Sequence, residues 1–548
     1  MQGFDTDCFI LNQKFCKSNL SKLANKRQTQ LRSINTFRGF IYDRNGEILA
    51  MSLPRQTLCI NFSEINQQKN IDLKVYEPLL VLLNIKKDKF KKIFTINKNK
   101  KEYYLKRKLP DSIVTKIRKL NLPSIYFIDE YHRTYPGGRY FSNIIGFTNI
   151  DDIGQEGIEY ANNNLLTPIK GLKKIKKDNF GRQIETIEIV KPPKLGQDIH
   201  LSLDKYIQLH AYNTLKKHVK KTNADSASLV LIKNTTGEII TMVNYPSFNP
   251  SNRSEMKGEK IKNKVVTDII EPGSTMKPFI IYTALESGNF DNYSVIDTAP
   301  GFLEINGHTI KDYKYLGKLD LKGIITKSSN VGAALVALGL DKKHISDNLE
   351  KLQFGKSLYI GLPGEQKGNL HHYKSWEKSE HASISYGYGL DMTLLHLANA
   401  YAILANYGNY IELTYLKHLD NDKIHKKKIL DKELSKNIIK MMTNVVSNDG
   451  TAKKARLEKY SVAGKTGTAK MIENGKYSDN KYVVLFVGIV PASKPEFVSV
   501  IILRNPKVSE PSGGKNAAPI FKEFMGHTLN LLQVYPDKHE RQNISKSN

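Results

Sequence analysis

The pattern of apolar and polar positions changes near residue 226. Beyond it, apolar runs are dense and regularly punctuated. "SASLVLIKNTTGEIITMVNYPSFNP" (226–250) reads as a buried strand, a Thr-Thr-Gly turn and a second strand. "YSVAGKTGTAK", "YVVLFVGIVPA" and "FVSVIILRNP" (460–506) predict adjacent strands of an antiparallel sheet, and "SGGKNAAPIFKEFMGHTLNLL" a closing helix. Between these blocks a helical section runs to about Leu430. Ahead of residue 226 the pattern is looser. Residues 17–35 are polar and helix-compatible, like a stalk. "DRNGEILA" predicts strand, Asn-Gly turn, strand. Residues 65–130 are lysine-rich with mixed periodicity, and Pro136-Gly137-Gly138 marks a turn. "RQIETIEIV" and "GQDIHLSLDKYIQLHAYNTLKKHVKK" read as a strand, then a strand leading into an amphipathic helix. The end of the chain, "PDKHERQNISKSN", has the composition of a disordered tail.

At 548 residues the chain is too long for one core, so two or more domains are expected. Lys+Arg exceed Asp+Glu by 83 to 54, a net charge of +29. That balance attracts polyanions, but the lysines are spread throughout. Runs such as "KKDKFKKIF" (86–94) and "GLKKIKKDNFGR" (171–182) read as solvated faces. No zinc knuckle or aromatic-basic signature supports nucleic-acid binding. Cys8, Cys16 and Cys59 form no CxxC pair and define no disulfide framework or metal site. No run reaches the roughly 18 apolar residues of a spanning helix, and the N-terminus lacks a signal-peptide pattern.

One stretch raises a chemical question. In "EPGSTMKPFIIYTALESG" (271–288), Met276, Phe279, Ile280, Tyr282 and Ala284 predict a buried helix starting near Ser274. Residues three apart share a helix face, so Lys277 would sit beside Ser274 and could take its proton. The alternative makes Ser274 a helix cap and Lys277 a surface charge. The pair alone decides little, because Ser-x-x-Lys also starts at Ser202, Ser254, Ser375, Ser478 and Ser512.

Two further motifs change the balance. "KSSNVGAAL" (327–335) places Ser328 and Asn330 at the head of an apolar helical run, and "AGKTGTAK" places Lys465, Thr466, Gly467 and Thr468 on a predicted strand. Ser-x-x-Lys, Ser-x-Asn and Lys-Thr-Gly in this order are shared by penicillin-binding proteins and class A β-lactamases. A literal Ser478-Asp479-Asn480 is set aside because it follows the Lys-Thr-Gly strand in a polar hairpin. Each part has a chemical reason. Ser274 would attack a peptide carbonyl. Lys277 can act as base only when neutral, and burial beside a second cation, Lys465, favours that form. Ser328 can relay a proton to the leaving amine, and Asn330 can bind the substrate amide and Lys277. Gly467 leaves the strand edge bare for an added substrate strand. Thr466 and Thr468 can bind a terminal carboxylate, and the amides of Ser274 and Thr468 would form an oxyanion hole.

With "RGFIYDRNGEILA", "RTYPGG", "GQEGIE", "INGHTIKD", "SYGYGL" and "GGKNAAPIF" added, the chain from about Thr36 to about Leu531 resembles the class B penicillin-binding proteins. "IIGFTNIDDIGQEGIEY" and "INGHTIKD" resemble the septal, cell-division type most, with the elongation type as nearest competitor. The resemblance implies an α+β fold: a transpeptidase domain with a five-stranded antiparallel sheet flanked by helices, and an elongated N-terminal pedestal. The expected domains are a stalk over 1–35, the pedestal over 36–222, the transpeptidase domain over 223–533 and a tail over 534–548. It implies a serine-type peptidoglycan D,D-transpeptidase that cross-links stem peptides through acyl-Ser274. β-Lactams would inhibit it, and no metal or cofactor is needed. Alternatives are an elongation-type transpeptidase, a D,D-carboxypeptidase, a β-lactamase or a divisome scaffold. Expected partners are stem peptides and, through the pedestal, a polytopic glycan polymerase and other divisome proteins. Such proteins carry one transmembrane helix ahead of the pedestal. This chain begins about where that helix should end, so an anchor upstream of a trimmed start is expected, with gene decay as the alternative. The expected location is the periplasmic face of the bacterial inner membrane. Tyr386 and Tyr388 are expected to shape the site edge, Trp376 to pack, and His308, His371 and His372 to stay outside the chemistry.

Overall fold

A computed structural model describes residues 29–67, 72–97, 99–177, 183–419, 423–473 and 475–538. The N-terminal part is built on β1 (Thr29–Ile34), β2 (Ile41–Tyr42), β3 (Ile48–Asn61), β4 (Glu102–Leu109), β5 (Ile125–Thr134), β6 (Gly171–Lys177), β7 (Gln183–Lys191) and β8 (Ile199–His200). The Asn45-Gly46 turn forms between β2 and β3, with Gly46 at φ 86° and Asp43 N–H donating to Glu47 O at 2.8 Å. The long β3 pairs with β2, β4 and β5. Helices α1 (Glu77–Leu83), α2 (Lys87–Asn97) and α3 (Asp111–Lys119) give this lobe its own core, which includes Leu58, Ile60, Phe62, Tyr76, Phe90 and Ile117. Ile41, Leu49, Ile144, Ile158 and Ile199 belong instead to the core that continues into the C-terminal half.

Three motifs of this half meet in one buried ion triad. Glu159 accepts from Arg38 Nε and Arg133 Nε, both at 2.6 Å, with all three side chains buried. Arg38 also reaches the Asp152 and Glu159 carbonyls, Asn163 and Thr167. A buried carboxylate is tolerated only when both oxygens are matched in this way. "RGF", "RTYPGG" and "GQEGIE" supply one member each.

The C-terminal half centres on a five-stranded antiparallel sheet, as the resemblance implied. β9 (Ser226–Lys233), β10 (Glu238–Tyr245), β11 (Ala463–Glu473), β12 (Lys476–Val490) and β13 (Phe497–Arg504) lie in the order β10-β9-β13-β12-β11. The central strands are apolar on both faces because helices cover both sides. β13 is buried along its whole length. α4 (Lys205–Thr222) and α9 (Ala518–Leu531) pack together on one side. α8 (Leu394–Ala405) packs on β9 and β13. α5 (Lys277–Ser287), α6 (Leu321–Lys327) and α7 (Asn330–Leu338) bring up the nucleophile and Ser-x-Asn segments.

Several expectations need correction. Thr29–Ile34, placed in a helix-compatible stalk, is strand β1 and pairs antiparallel with β6. The lysine run at 171–177 is that partner strand, with Ile175 buried between solvated lysines. The 222/223 boundary falls between α4 and β9. α4, on the pedestal side of that boundary, packs on β9 and β10. Residues 534–538 of the expected tail are held in place: Tyr460 Oη donates to Val534 O at 2.9 Å and Ser461 N–H to Asp537 Oδ1 at 2.7 Å. Residues 1–28, with Cys8 and Cys16, and the rest of the tail lie outside the described residues. Cys59 is buried and free. Among the described residues no helix is long and apolar enough to cross a membrane.

Candidate active site

The site lies where edge strand β11 meets the turn ahead of α5. The helix does not begin at Ser274. Gly273–Met276 forms a 3-10 turn and the α-helix starts at Lys277, with Pro278 in its first turn. Ser274 makes no side-chain cap. Its Oγ instead lies 2.8 Å from Lys277 Nζ, within hydrogen-bond distance. The turn is fixed from several sides. Tyr401 Oη, from α8, donates to Thr275 O at 2.7 Å, and Gly273 N–H donates to Gly387 O at 3.1 Å.

Glycine is required where backbone meets backbone here. A Cβ at Gly387, which has φ 82°, would lie 2.1 Å from Gly273 O. A Cβ at Gly467 would lie 3.0 Å from Pro272 O. The Lys-Thr-Gly strand therefore lies flat against the turn that carries Ser274.

Lys277 has four neighbours. Its Nζ is 2.7 Å from Ser328 O, 2.7 Å from Asn330 Oδ1, 2.8 Å from Ser274 Oγ and 3.2 Å from Ser328 Oγ. Asn330 Nδ2 donates to Lys311 O at 3.0 Å, which turns Oδ1 toward the lysine. Lys465 Nζ donates to Ser328 Oγ at 2.8 Å and to Thr466 O at 3.2 Å. Both lysines are 0% exposed, while Ser274, Ser328, Asn330 and Thr468 are partly open. Burial drives the Lys277 pKa well below its ordinary value, and the Lys465 charge lowers it further. Burial alone lowers Lys465 to about 7.

All eight expected site residues share this cleft. Thr466 Oγ1 lies 3.0 Å from Thr451 Oγ1, and Thr468 Oγ1 accepts from Gly513 N–H at 3.3 Å. β11 is the edge strand of its sheet, so its outer side is open to an added strand. Tyr388 packs edge-on against Tyr477, and Tyr386 packs against a small cluster of Ile305, Ile310, Ala334 and Ala382. Trp376 is buried with Nε1 donating to His371 O at 2.9 Å. Ser478-Asp479-Asn480 lies in the exposed arm of β12.

Sequence reading assigned no role to Asp312 or Tyr401 and took Gly387 only as a turn residue. Asp312 accepts from Ser329 Oγ at 2.6 Å and Val331 N–H at 3.1 Å, and also from Asn330 N–H. It also opposes the fall of the Lys277 pKa. Asp312 stands sixteen residues before Ser328, so no local spacing announced it.

Known proteins match the chain over nearly all its length. The family model described as Penicillin binding protein transpeptidase domain matches residues 227–526. That described as Penicillin-binding Protein dimerisation domain matches residues 33–201. The chain is similar to the peptidoglycan D,D-transpeptidase FtsI of Buchnera aphidicola subsp. Schizaphis graminum, with 38% identity covering 95% of this chain and 91% of the relative. It is 35% identical to FtsI of Escherichia coli K12, covering 94% of this chain and 87% of the relative. A peptidoglycan synthetase structure from Bifidobacterium adolescentis shares the fold, with TM-score 0.73 and 22% identity, covering 93% of this chain and 98% of that one.

Proposed function

The chain belongs to the class B penicillin-binding proteins, and from that premise we propose that it is a septal peptidoglycan D,D-transpeptidase acting through Ser274. The observation that carries this reading is the set of neighbours around Lys277. A neutral amine has two N–H groups and one lone pair. Ser328 O and Asn330 Oδ1 can only accept, so they take the two N–H groups. The lone pair is left for Ser274 Oγ at 2.8 Å. Burial beside Lys465 supports the neutral form.

In this mechanism a donor stem peptide adds to the β11 edge with its terminal carboxylate toward Thr466 and Thr468. Lys277 takes the Ser274 proton as Oγ attacks the carbonyl of the penultimate D-alanine. The amides of Ser274 and Thr468 hold the oxyanion. Loss of one such donor commonly costs about 100- to 1,000-fold in rate. Ser328, tied to both lysines, passes a proton to the departing D-alanine amine, leaving acyl-Ser274. An amine from a neighbouring stem then attacks the acyl carbon and releases Ser274 with a new cross-link. β-Lactams acylate the same serine. The substrate places the enzyme on the periplasmic face of the inner membrane, with an anchor and a polytopic glycan polymerase as partners. The N-terminal domain's own core supports a separate docking role for that half.

Intact-mass measurement after brief exposure to a penicillin tests the reading. The wild type gains one penicillin mass that persists, and Ser274→Ala gains none. Rapid drug loss without an adduct would mean a hydrolase, and neither adduct nor loss would mean an incompetent site.

A further inference from the structure

Beside the Ser-x-Asn segment two turns are locked together. Gly301 N–H donates to Thr298 O at 2.7 Å, and Thr298 N–H donates to Gly317 O at 3.0 Å. Asp312 N–H donates to Gly301 O at 3.1 Å, while its carboxylate holds Ser329 and Asn330. The loop that follows Asp312 is therefore rigidly joined to the catalytic cluster. That loop carries two large aromatics into solvent: Tyr313 and Tyr315 are each 66% exposed. Phe302, 45% exposed, begins the hairpin alongside.

Tyr315 is a supported ring. Gly301 and Gly317 sit beside it at φ 96° and 66°. A Cβ at Gly301 would lie 3.8 Å from its Cδ2, and one at Gly317 would lie 3.9 Å from its Cε1. Glycine backbone thus approaches the ring near Cδ2 and near Cε1, while most of the residue stays open to solvent. Tyr313 is accompanied by Lys314, whose Nζ lies 5.6 Å from the ring centroid. Along the chain the rings are flanked by Asp312, Lys314, Leu316, Gly317 and Lys318, of which the two lysines are exposed. An exposed ring flanked by lysines suits a sugar, whose C–H face covers it while its hydroxyls stay hydrated. Exposed Lys311, Lys314 and Lys318 complement the carboxylates of a peptide-bearing glycan.

We propose that Tyr315, with Tyr313 beside it, is a platform for the sugar rings of the glycan strand whose stem peptide enters the Ser274 cleft. This rests on the transpeptidase reading above. It adds a specificity site for polymer over free peptide, placed by the Asp312 link to Ser329 and Asn330.

The test compares three probes on the full chain: a fluorescent penicillin, a free pentapeptide ending in D-Ala-D-Ala, and uncross-linked glycan strands bearing the same stem. Tyr315→Ala should lose about tenfold in kcat/KM on strands, mostly through KM, as expected for one aromatic contact worth ~1.4 kcal/mol. Penicillin acylation and free-peptide turnover should stay at wild-type level, which also shows that the variant is folded. Tyr315→Phe, which keeps the ring, should retain strand turnover, as should the control Tyr535→Ala, at a tyrosine 90% exposed near the C-terminus. Equal strand turnover by Tyr315→Ala and wild type would overturn the platform, as would an equal loss on free peptide and strands. If penicillin fails to acylate the wild type, the transpeptidase reading itself falls and takes the platform with it.

Discussion

Asp312→Asn separates the electrostatic and positional parts of the site. The carboxylate accepts from Ser329 Oγ through one oxygen, and from Asn330 and Val331 N–H through the other. Asparagine can keep the backbone bonds through Oδ1. Its Nδ2 then faces Ser329 Oγ, which already accepts from Gly332 N–H at 2.8 Å. The serine proton loses its acceptor, and the helix start loses a negative charge. A charge-assisted hydrogen bond is worth ~1.5–3 kcal/mol and the helix-terminus charge ~0.3–1 kcal/mol, so a stability loss of about 2 kcal/mol is expected. If half of that is felt as misplacement of Asn330, acylation slows by about five- to tenfold, at ~1.4 kcal/mol per decade. The pH profile should move as well. Asp312 holds the Lys277 pKa up, so removing its charge lets that pKa fall further. Lys277 is then neutral at lower pH, and the acid limb of the profile shifts to more acidic pH. Second-order acylation constants for a fluorescent penicillin across pH, with urea melts, measure both effects. A limb that stays in place or moves to alkaline pH, at unchanged rate, would refute the assignment of Asp312.

Two other substitutions probe the same cluster. Lys465 falls to about 7 on folding from an unfolded value of 10.5, so between those pH values the unfolded chain binds more protons and stability rises with pH. Lys465→Met should abolish acylation yet narrow the difference in melting temperature between pH 6 and pH 9; an unchanged difference would argue against a neutral buried Lys465. Gly387→Ala puts a Cβ 2.1 Å from Gly273 O at φ 82°, which must displace the Ser274 turn. Penicillin acylation should fall about 100-fold, the scale of a ~1 Å misplacement, whereas Gly526→Ala, in α9 with its nearest new neighbour 3.8 Å away, should leave acylation unchanged.

The residues that sequence made legible are those whose pattern is local. Continuous apolar runs announced β9, β12 and β13, because a strand covered on both faces needs no alternation. The three motifs announced Ser274, Lys277, Ser328, Asn330 and Lys465, because each spacing is set within one turn or strand. What escaped depends on contacts between distant segments. Arg38, Arg133 and Glu159 were visible as parts of three motifs, but their joint burial exists only after folding. Gly387 looked like an ordinary turn glycine; its real constraint is the carbonyl of Gly273. β1 escaped because its apolar positions are sparse and its partner β6 is mostly lysine, so neither strand reads as buried.

Ser328 shows how the fold concentrates this chemistry at a break between helices. It closes α6 in the left-handed region, at φ 60° and ψ 41°, and Ser329 caps α7 by accepting from Gly332 N–H. A left-handed residue closing a helix is usually glycine, and a side chain there costs roughly 1–2 kcal/mol. Glycine would remove that strain but also the hydroxyl. With serine, the turn aims the carbonyl and Oγ of one residue at Lys277, at 2.7 and 3.2 Å, and offers the same Oγ to Lys465 at 2.8 Å. No helical residue could do so, because its carbonyl would be committed along the helix axis. The Asp312 carboxylate grips the next three residues and keeps the strained turn from relaxing. The strain at Ser328 is therefore the cost of bringing two buried lysines to one hydroxyl. It persists because the helices on either side, and the acid across from them, leave the backbone no other course.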